Sequence, residues 1–159
     1  MTRSPSTIVE ALQLSPHPEG GWYRETYRSI ERFPGNGEFP QGRNHCTSIY
    51  FLIAAGAFSA LHRIKSDETW HFYKGDPIEI IELDEQGNLI RTVLGHGQYQ
   101  YTVPAGNWFG SRVYGEGSWS LVGCTVSPGF DFQDFEMADR QVMLNQYPHQ
   151  SEIIRQLTR

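Results

Sequence analysis

Apolar and polar positions alternate along most of this chain in short runs separated by turn residues, a period of two that predicts strands rather than helices. Residues 22–28 read as a strand with Trp22, Arg24, Thr26 and Arg28 on one face and Tyr23, Glu25 and Tyr27 on the other. Residues 48–54 are a buried-strand run, and 57–64 follow as a second strand. The pattern recurs at 70–73, 77–83, 89–94, 98–103, 108–113 and 119–126, with a turn at 84–88. Ser4, Pro5, Ser6 and Thr7 ahead of Ile8, Val9 and Leu12 predict a short capped helix. Pro16, Pro18, Gly20 and Gly21 predict a turn, and 30–44, rich in Gly, Pro and polar types, a mobile loop. After Ser127, Pro128 and Gly129 the chain turns polar, with helices expected near 139–146 and 150–157. The outcome is an all-β barrel or sandwich with a short N-terminal helix and two C-terminal helices, in a single domain over residues 1–159.

Composition narrows the function classes. At 159 residues the chain can bury a sizeable core, and its 16 Gly and 9 Pro suit many short strands better than a helix bundle. The thirteen basic residues are Lys65, Lys74 and eleven scattered arginines, with no basic run, and the net charge is −5. A nucleic-acid partner is therefore not expected. No apolar stretch approaches the length of a membrane span, and the N-terminus lacks a charged-then-apolar leader pattern. Cys46 and Cys124 form neither a disulfide framework nor a zinc pattern, so two buried thiols in a cytoplasmic protein are expected.

One stretch carries the chemistry. Gly56, His62, Glu68 and Gly75 bracket a strand pair, and Pro104 and Gly106 form a Pro-x-Gly turn after Gly97. In order and spacing this resembles the two motifs of the cupin superfamily, which normally hold a metal on a His-x-His pair, a glutamate and a fourth-ligand histidine. Ile64 stands where the second histidine should be and Phe109 where the last should be, with Val113 in place of the asparagine. The phrases at 19–28, 66–73 and 123–132 are similar to those of a family of small single-domain cupins with no assigned function. That resemblance implies a double-stranded β-helix, the jelly-roll barrel, similar to that of the dTDP-sugar 3,5-epimerases. It also implies a homodimer.

Period-two alternation puts Phe58, Ala60, His62 and Ile64 on one face, and the resemblance turns that face into the barrel. Phe109 should face inward too, leaving a drier pocket with two of the usual four ligands. His62 and Glu68 then form a general acid–base pair, Glu68 fixing the imidazole tautomer. In the epimerases a pocket histidine takes a proton next to a carbonyl and a tyrosine returns one, and Tyr50 on a neighbouring strand is the candidate for that tyrosine. The first reading is thus a metal-independent isomerase or epimerase acting on a sugar-like or nucleotide-linked ligand, with no cofactor. A second is a divalent-metal oxygenase or isomerase completing the site of His62 and Glu68 with His71, His96 or water, although strand parity sets His71 on the opposite face from Glu68. A third is a non-catalytic module that binds or senses a small molecule. The plainest reading makes His62 a core histidine with Glu68 as its partner.

Other candidates for ligand contact are Arg24 and Arg28, which could clamp an anion from one strand face, Trp70 and Trp108 as stacking surfaces, and Gln98 and Gln100 if inward-facing. Ile64 and Phe109 would shape the apolar wall. Asp131, Asp134 and Glu136 fit no calcium loop and are expected to start the C-terminal helix, where they favour its dipole.

Overall fold

In the computed structural model, residues 4–159 are described. Helix α1 (Pro5–Ala11) is capped by the Ser4 side chain, which accepts from the Thr7 backbone N–H. The strands follow as β1 (Ser15–Pro16), β2 (Trp22–Arg28), β3 (Arg32–Phe33), β4 (Arg43–Asn44), β5 (Thr47–Ala54), β6 (Phe58–Arg63) and β7 (Asp67–Gly75). Then come β8 (Ile78–Leu83), β9 (Leu89–Leu94), β10 (Gln100–Val103), β11 (Trp108–Val113), β12 (Trp119–Ser127) and β13 (Glu136–Met137). Helices α2 (Arg140–Gln146) and α3 (Ser151–Leu157) end the chain.

The strands form a six-stranded sheet, ordered β1-β2-β5-β12-β7-β10, and a five-stranded sheet, ordered β13-β6-β11-β8-β9. All paired neighbours are antiparallel. The main core lies between the sheets, where Phe51, Trp70, Ile78, Ile80, Phe109 and Val122 are buried together. A second cluster seats Met143, Tyr147, Ile153 and Leu157 of the C-terminal helices on Leu61, Ile81, Leu83 and Trp108, the outer side of the five-stranded sheet. A third packs Ile8 and Leu14 on Leu52 and Trp119 of the other sheet. This is the jelly-roll barrel that the cupin resemblance implies, with the short terminal helices that the pattern predicts. Among the described residues no helix is long and apolar enough to cross a membrane.

Two β-bulges that depart from strict alternation shape the interior. In β6, Phe109 pairs with His62 but Ser111 pairs with Ser59, so β6 carries an extra residue and Ser59 joins His62. Simple parity sets these two on opposite faces. In β2, Glu25 faces Ile49 while Tyr27 faces Ser48 and Arg28 faces Thr47, so Thr26 is the extra residue. Arg28 thereby moves to the face of Tyr23 and Glu25, and the expected pairing of Arg24 with Arg28 does not form.

The 30–44 segment is more structured than its composition suggests. It contains the β3–β4 ribbon and buries Arg43, whose guanidinium pairs with Asp134 at 2.7 and 2.6 Å. Asp134 and Glu136 therefore serve ion pairs, the latter with Arg63 at 2.7 Å, and the α2 cap is Asp139. Of the two thiols Cys124 is buried, while Cys46 is partly exposed.

Candidate functional site

The turn between β1 and β2 brings the key carboxylate into the barrel. Gly20 and Gly21 take φ of +111° and +77°, a region open to glycine and costly for other residues. A Cβ on Gly20 would also run into the Phe58 carbonyl oxygen. The tight turn is closed by His17 N–H donating to the Gly21 carbonyl at 3.0 Å and Gly20 N–H to that of His17 at 3.0 Å. Ala60 N–H donates to the Glu19 carbonyl at 2.7 Å, fixing the turn against β6.

Glu19 is the centre of a buried network. Its Oε2 lies 3.0 Å from His62 Nε2 and 3.5 Å from His17 Nδ1, and its Oε1 accepts from Ser59 Oγ at 2.9 Å. His62 Nδ1 sits 2.7 Å from the Ala60 carbonyl oxygen, which can only accept. Both imidazole nitrogens therefore face oxygens, an arrangement that suits an imidazolium against a carboxylate. Burial disfavours the charge on His62, but the Glu19 carboxylate, its hydrogen bond, Glu68 and the Ala60 carbonyl outweigh it and raise the pKa. Burial likewise opposes charge on Glu19, yet the charge and hydrogen bond of His62, aided by His17 and Ser59, bring its pKa below the usual value. His17 goes the other way: burial, reinforced by His62, lowers its pKa against the pull of Glu19. Its Nδ1 accepts the Glu19 backbone N–H at 3.2 Å, so the neutral ring carries its proton on Nε2.

Glu68 enters from β7 on the inward face and is 8% exposed. Burial pushes its carboxyl up to about 7, His62 opposing and Glu19 adding, with the Cys124 thiol beside it. Among the described residues no nitrogen donor hydrogen-bonds it. The same burial, with Glu68 adjacent, drives the Cys124 thiol well above its ordinary value.

These groups line one cavity of about 530 Å³. Its walls include His17, Tyr23, Ile49, Phe51, Ile64 and Val126, and Phe130, Asp131 and Phe132 close over it. Phe132 lies nearly parallel to His17, 6.1 Å between centroids at 29°. At the mouth Arg28 is held by both oxygens of Glu25, at 2.9 and 2.8 Å, and by Asn44 Oδ1 at 3.0 Å.

The structure gathers His62, Glu68 and Ile64 around the cavity, with Phe109 packed 4.2 Å from the His62 ring. It separates the remaining candidates. Tyr50 lies on the outer face of β5, against the cluster under α1, with the Arg24 guanidinium 5.6 Å from its ring centroid. Arg24 touches the cavity, but its charge is directed to Tyr50. Trp70 is buried in the main core, edge-on to Phe51 and Phe109, and Trp108 belongs to the cluster under the C-terminal helices. His71 is on the outer face, between Thr125 Oγ1 at 3.1 Å and Gln100 Nε2 at 3.0 Å. Gln98 and Gln100 are exposed. Glu19 and His17 escape the sequence reading because strand periodicity says nothing of a turn. The Glu19-Gly20-Gly21 run, two left-handed glycines behind an acid, is their signal.

A cupin metal needs free donors at four positions. Here two positions are Ile64 and Phe109, and both nitrogens of His62 are committed to Glu19 and Ala60. Among the described residues no three His, Cys, Asp or Glu side chains are grouped to hold a metal ion. The donor set does not fit a resident metal.

Two facing antiparallel sheets closed around an inward His and Glu define a cupin. Within that superfamily the chain belongs to the family designated DUF985, whose profile matches residues 6–138. A crystal structure of a protein from Shewanella oneidensis is 36% identical, with a TM-score of 0.90 over 99% of both chains. A hypothetical protein from Leishmania major is 37% identical, with a TM-score of 0.90 over 98% of this chain and 99% of that one. Oxalate decarboxylase from Bacillus subtilis is similar in fold alone, at 19% identity and a TM-score of 0.58, with 89% of this chain on 36% of that one. No curated protein matches the sequence.

Proposed function

We propose that the barrel interior binds a small, polar, sugar-like molecule and moves a proton on it, as an isomerase or epimerase does, with Glu68 as the acid–base group. One observation carries this: a buried carboxyl with a pKa of about 7 faces a cavity of about 530 Å³ and has no nitrogen partner among the described residues. At neutral pH such a group is divided between its two forms and can both take and return a proton. A carbon next to a carbonyl is the natural donor. Glu68 accepts its proton while the electron pair moves onto the carbonyl oxygen, and reprotonation of the carbon completes the exchange. The neutral His17, with its proton on Nε2, is suited to donate a hydrogen bond to that oxygen. His62 serves as the cation paired with Glu19 rather than as the base, since neither ring nitrogen is free.

The test is deuterium wash-in. Fructose, ribulose and rhamnose are incubated with the protein in heavy water, and mass spectrometry reads uptake at carbon. Enzyme-dependent uptake by the native protein that Glu68→Gln abolishes supports the reading. A sugar that raises the melting temperature without any uptake favours the non-catalytic binding module instead.

A further inference from the structure

The charges around the cavity are unequally matched, and the imbalance selects the ligand. Four acidic side chains line it: Glu19, Glu25, Asp131 and Glu68, the last divided between its ionised and protonated forms near neutral pH. Two cations answer them, His62 and Arg28, since the Arg24 guanidinium lies over Tyr50 and burial favours the neutral form of His17, whose Nδ1 accepts the Glu19 amide N–H. Neither presents an uncompensated charge to a ligand. His62 is enclosed by Glu19 and Ala60. Arg28 is forked onto Glu25, with Asn44 on its remaining side, and that amide is itself fixed by donating to the Ser29 carbonyl at 2.6 Å. Asp131, also near Arg28, adds a second negative charge at the mouth.

A phosphate or carboxylate entering here would lose its water and find Arg28 and His62 already paired with carboxylates, while the acidic groups around it repel it. Glu68 is different. Buried, lining the cavity and without a nitrogen donor among the described residues, it meets the Cys124 thiol, a weak donor, where a carboxylate of its depth ordinarily receives stronger hydrogen bonds. Hydroxyl or amino groups on a ligand would supply them. The rings of Phe51, Phe130, Phe132 and Tyr23 in the lining suit the apolar side of a ring-shaped ligand.

We infer that the cavity takes a donor-rich ligand without negative charge, a polyhydroxylated or amino-substituted ring, and rejects phosphorylated and nucleotide-linked forms of it. This rests on the cavity being a ligand site, as the proposed function holds.

Calorimetric titration of the full chain with glucose, glucosamine and glucose 6-phosphate tests it. Binding of glucose or glucosamine, with the phosphate weaker by about tenfold or more, is the expected result. A preference for glucosamine that grows from pH 6 to pH 8 marks an amine held by ionised Glu68, and equal affinities mark hydroxyl recognition. Glucose 6-phosphate binding as tightly as glucose overturns the inference while leaving the cavity a ligand site. No binding by any of the three defeats both. Glu25→Gln supplies an independent arm with inorganic phosphate: freeing Arg28 should raise phosphate affinity about tenfold, and no gain would show that the Arg28–Glu25 pair is not what excludes anions.

Discussion

His62 directs its Nε2 to Glu19, 3.0 Å away, and not to Glu68, the acid its own motif places beside it. The two glutamates thereby acquire different characters in one cavity. Glu19, compensated by the imidazolium, is held ionised; Glu68, near the same cation but hydrogen-bonded to neither of its nitrogens, is left to burial and rises to about 7. Environments that push two carboxyls apart in this way separate a fixed charge from a working acid or base.

Removing Glu19 should therefore be costly. In Glu19→Ala the His62 charge and the Ser59 hydroxyl lose their partner inside the barrel, and a loss of about 3–5 kcal/mol in urea unfolding is expected. Glu19→Gln keeps a hydrogen-bonding shape without the charge. An NMR titration should then find the His62 pKa lower than in the native protein. An unmoved pKa would mean that the carboxylate is not what charges this ring.

Glu68 predicts a pH dependence of stability. Its carboxyl is raised from 4.5 in the unfolded chain to about 7 in the fold, so between these values the folded state binds more protons. Stability contributed by this group is full below about pH 4.5, declines as pH rises through 7 and is then lost, a difference of about 3 kcal/mol. Glu68→Gln has nothing to ionise. The native protein should lose that amount relative to the variant between pH 4.5 and pH 8, measured by urea unfolding. Parallel stability curves would show that Glu68 titrates normally.

Arg43 pins the 30–44 segment to the far end of the chain through Asp134. Arg43→Met leaves Asp134 buried without its cation. Unfolding should be easier by about 3 kcal/mol or more, and limited proteolysis should cut first between residues 30 and 44. Restoration of native stability by adding Asp134→Leu would assign the loss to the stranded carboxylate.

Gly110 sits against the β6 bulge. A Cβ there would lie 2.5 Å from the Ser59 carbonyl oxygen and 3.3 Å from the Leu61 amide nitrogen, so Gly110→Ala must push β6 and β11 away from each other. A loss of about 2 kcal/mol is expected. Gly37→Ala, with no neighbour within 4 Å, is the control and should melt as the native protein does.

The fold was legible because period-two alternation is written into every residue of a half-buried strand. The predicted spans at 22–28, 89–94 and 108–113 coincide with β2, β9 and β11. The α2 and α3 helices begin one residue later than expected. Of the site, His62, Glu68, Ile64 and Phe109 could be read from motif spacing, and His71 from parity. What stayed hidden depends on departures from parity. A bulge is one residue miscounted, and it moved both Ser59 and Arg28 across a sheet. Tyr50 failed for the opposite reason: adjacency of strands was visible, but Ile49 and Phe51 hold the inward positions.

The bulge at Thr26 makes the character of the cavity mouth a matter of counting rather than composition. Were Thr26 paired in regular register instead of bulged out, Arg28 would fall back into step with Arg24 on the outer face, and Tyr27 would turn inward beside Glu25. The same amino acids would then present a phenol and an unpaired carboxylate to whatever enters. Relatives that pair this position regularly rather than bulging it would change what they admit while Glu19, His62 and Glu68 stay in place.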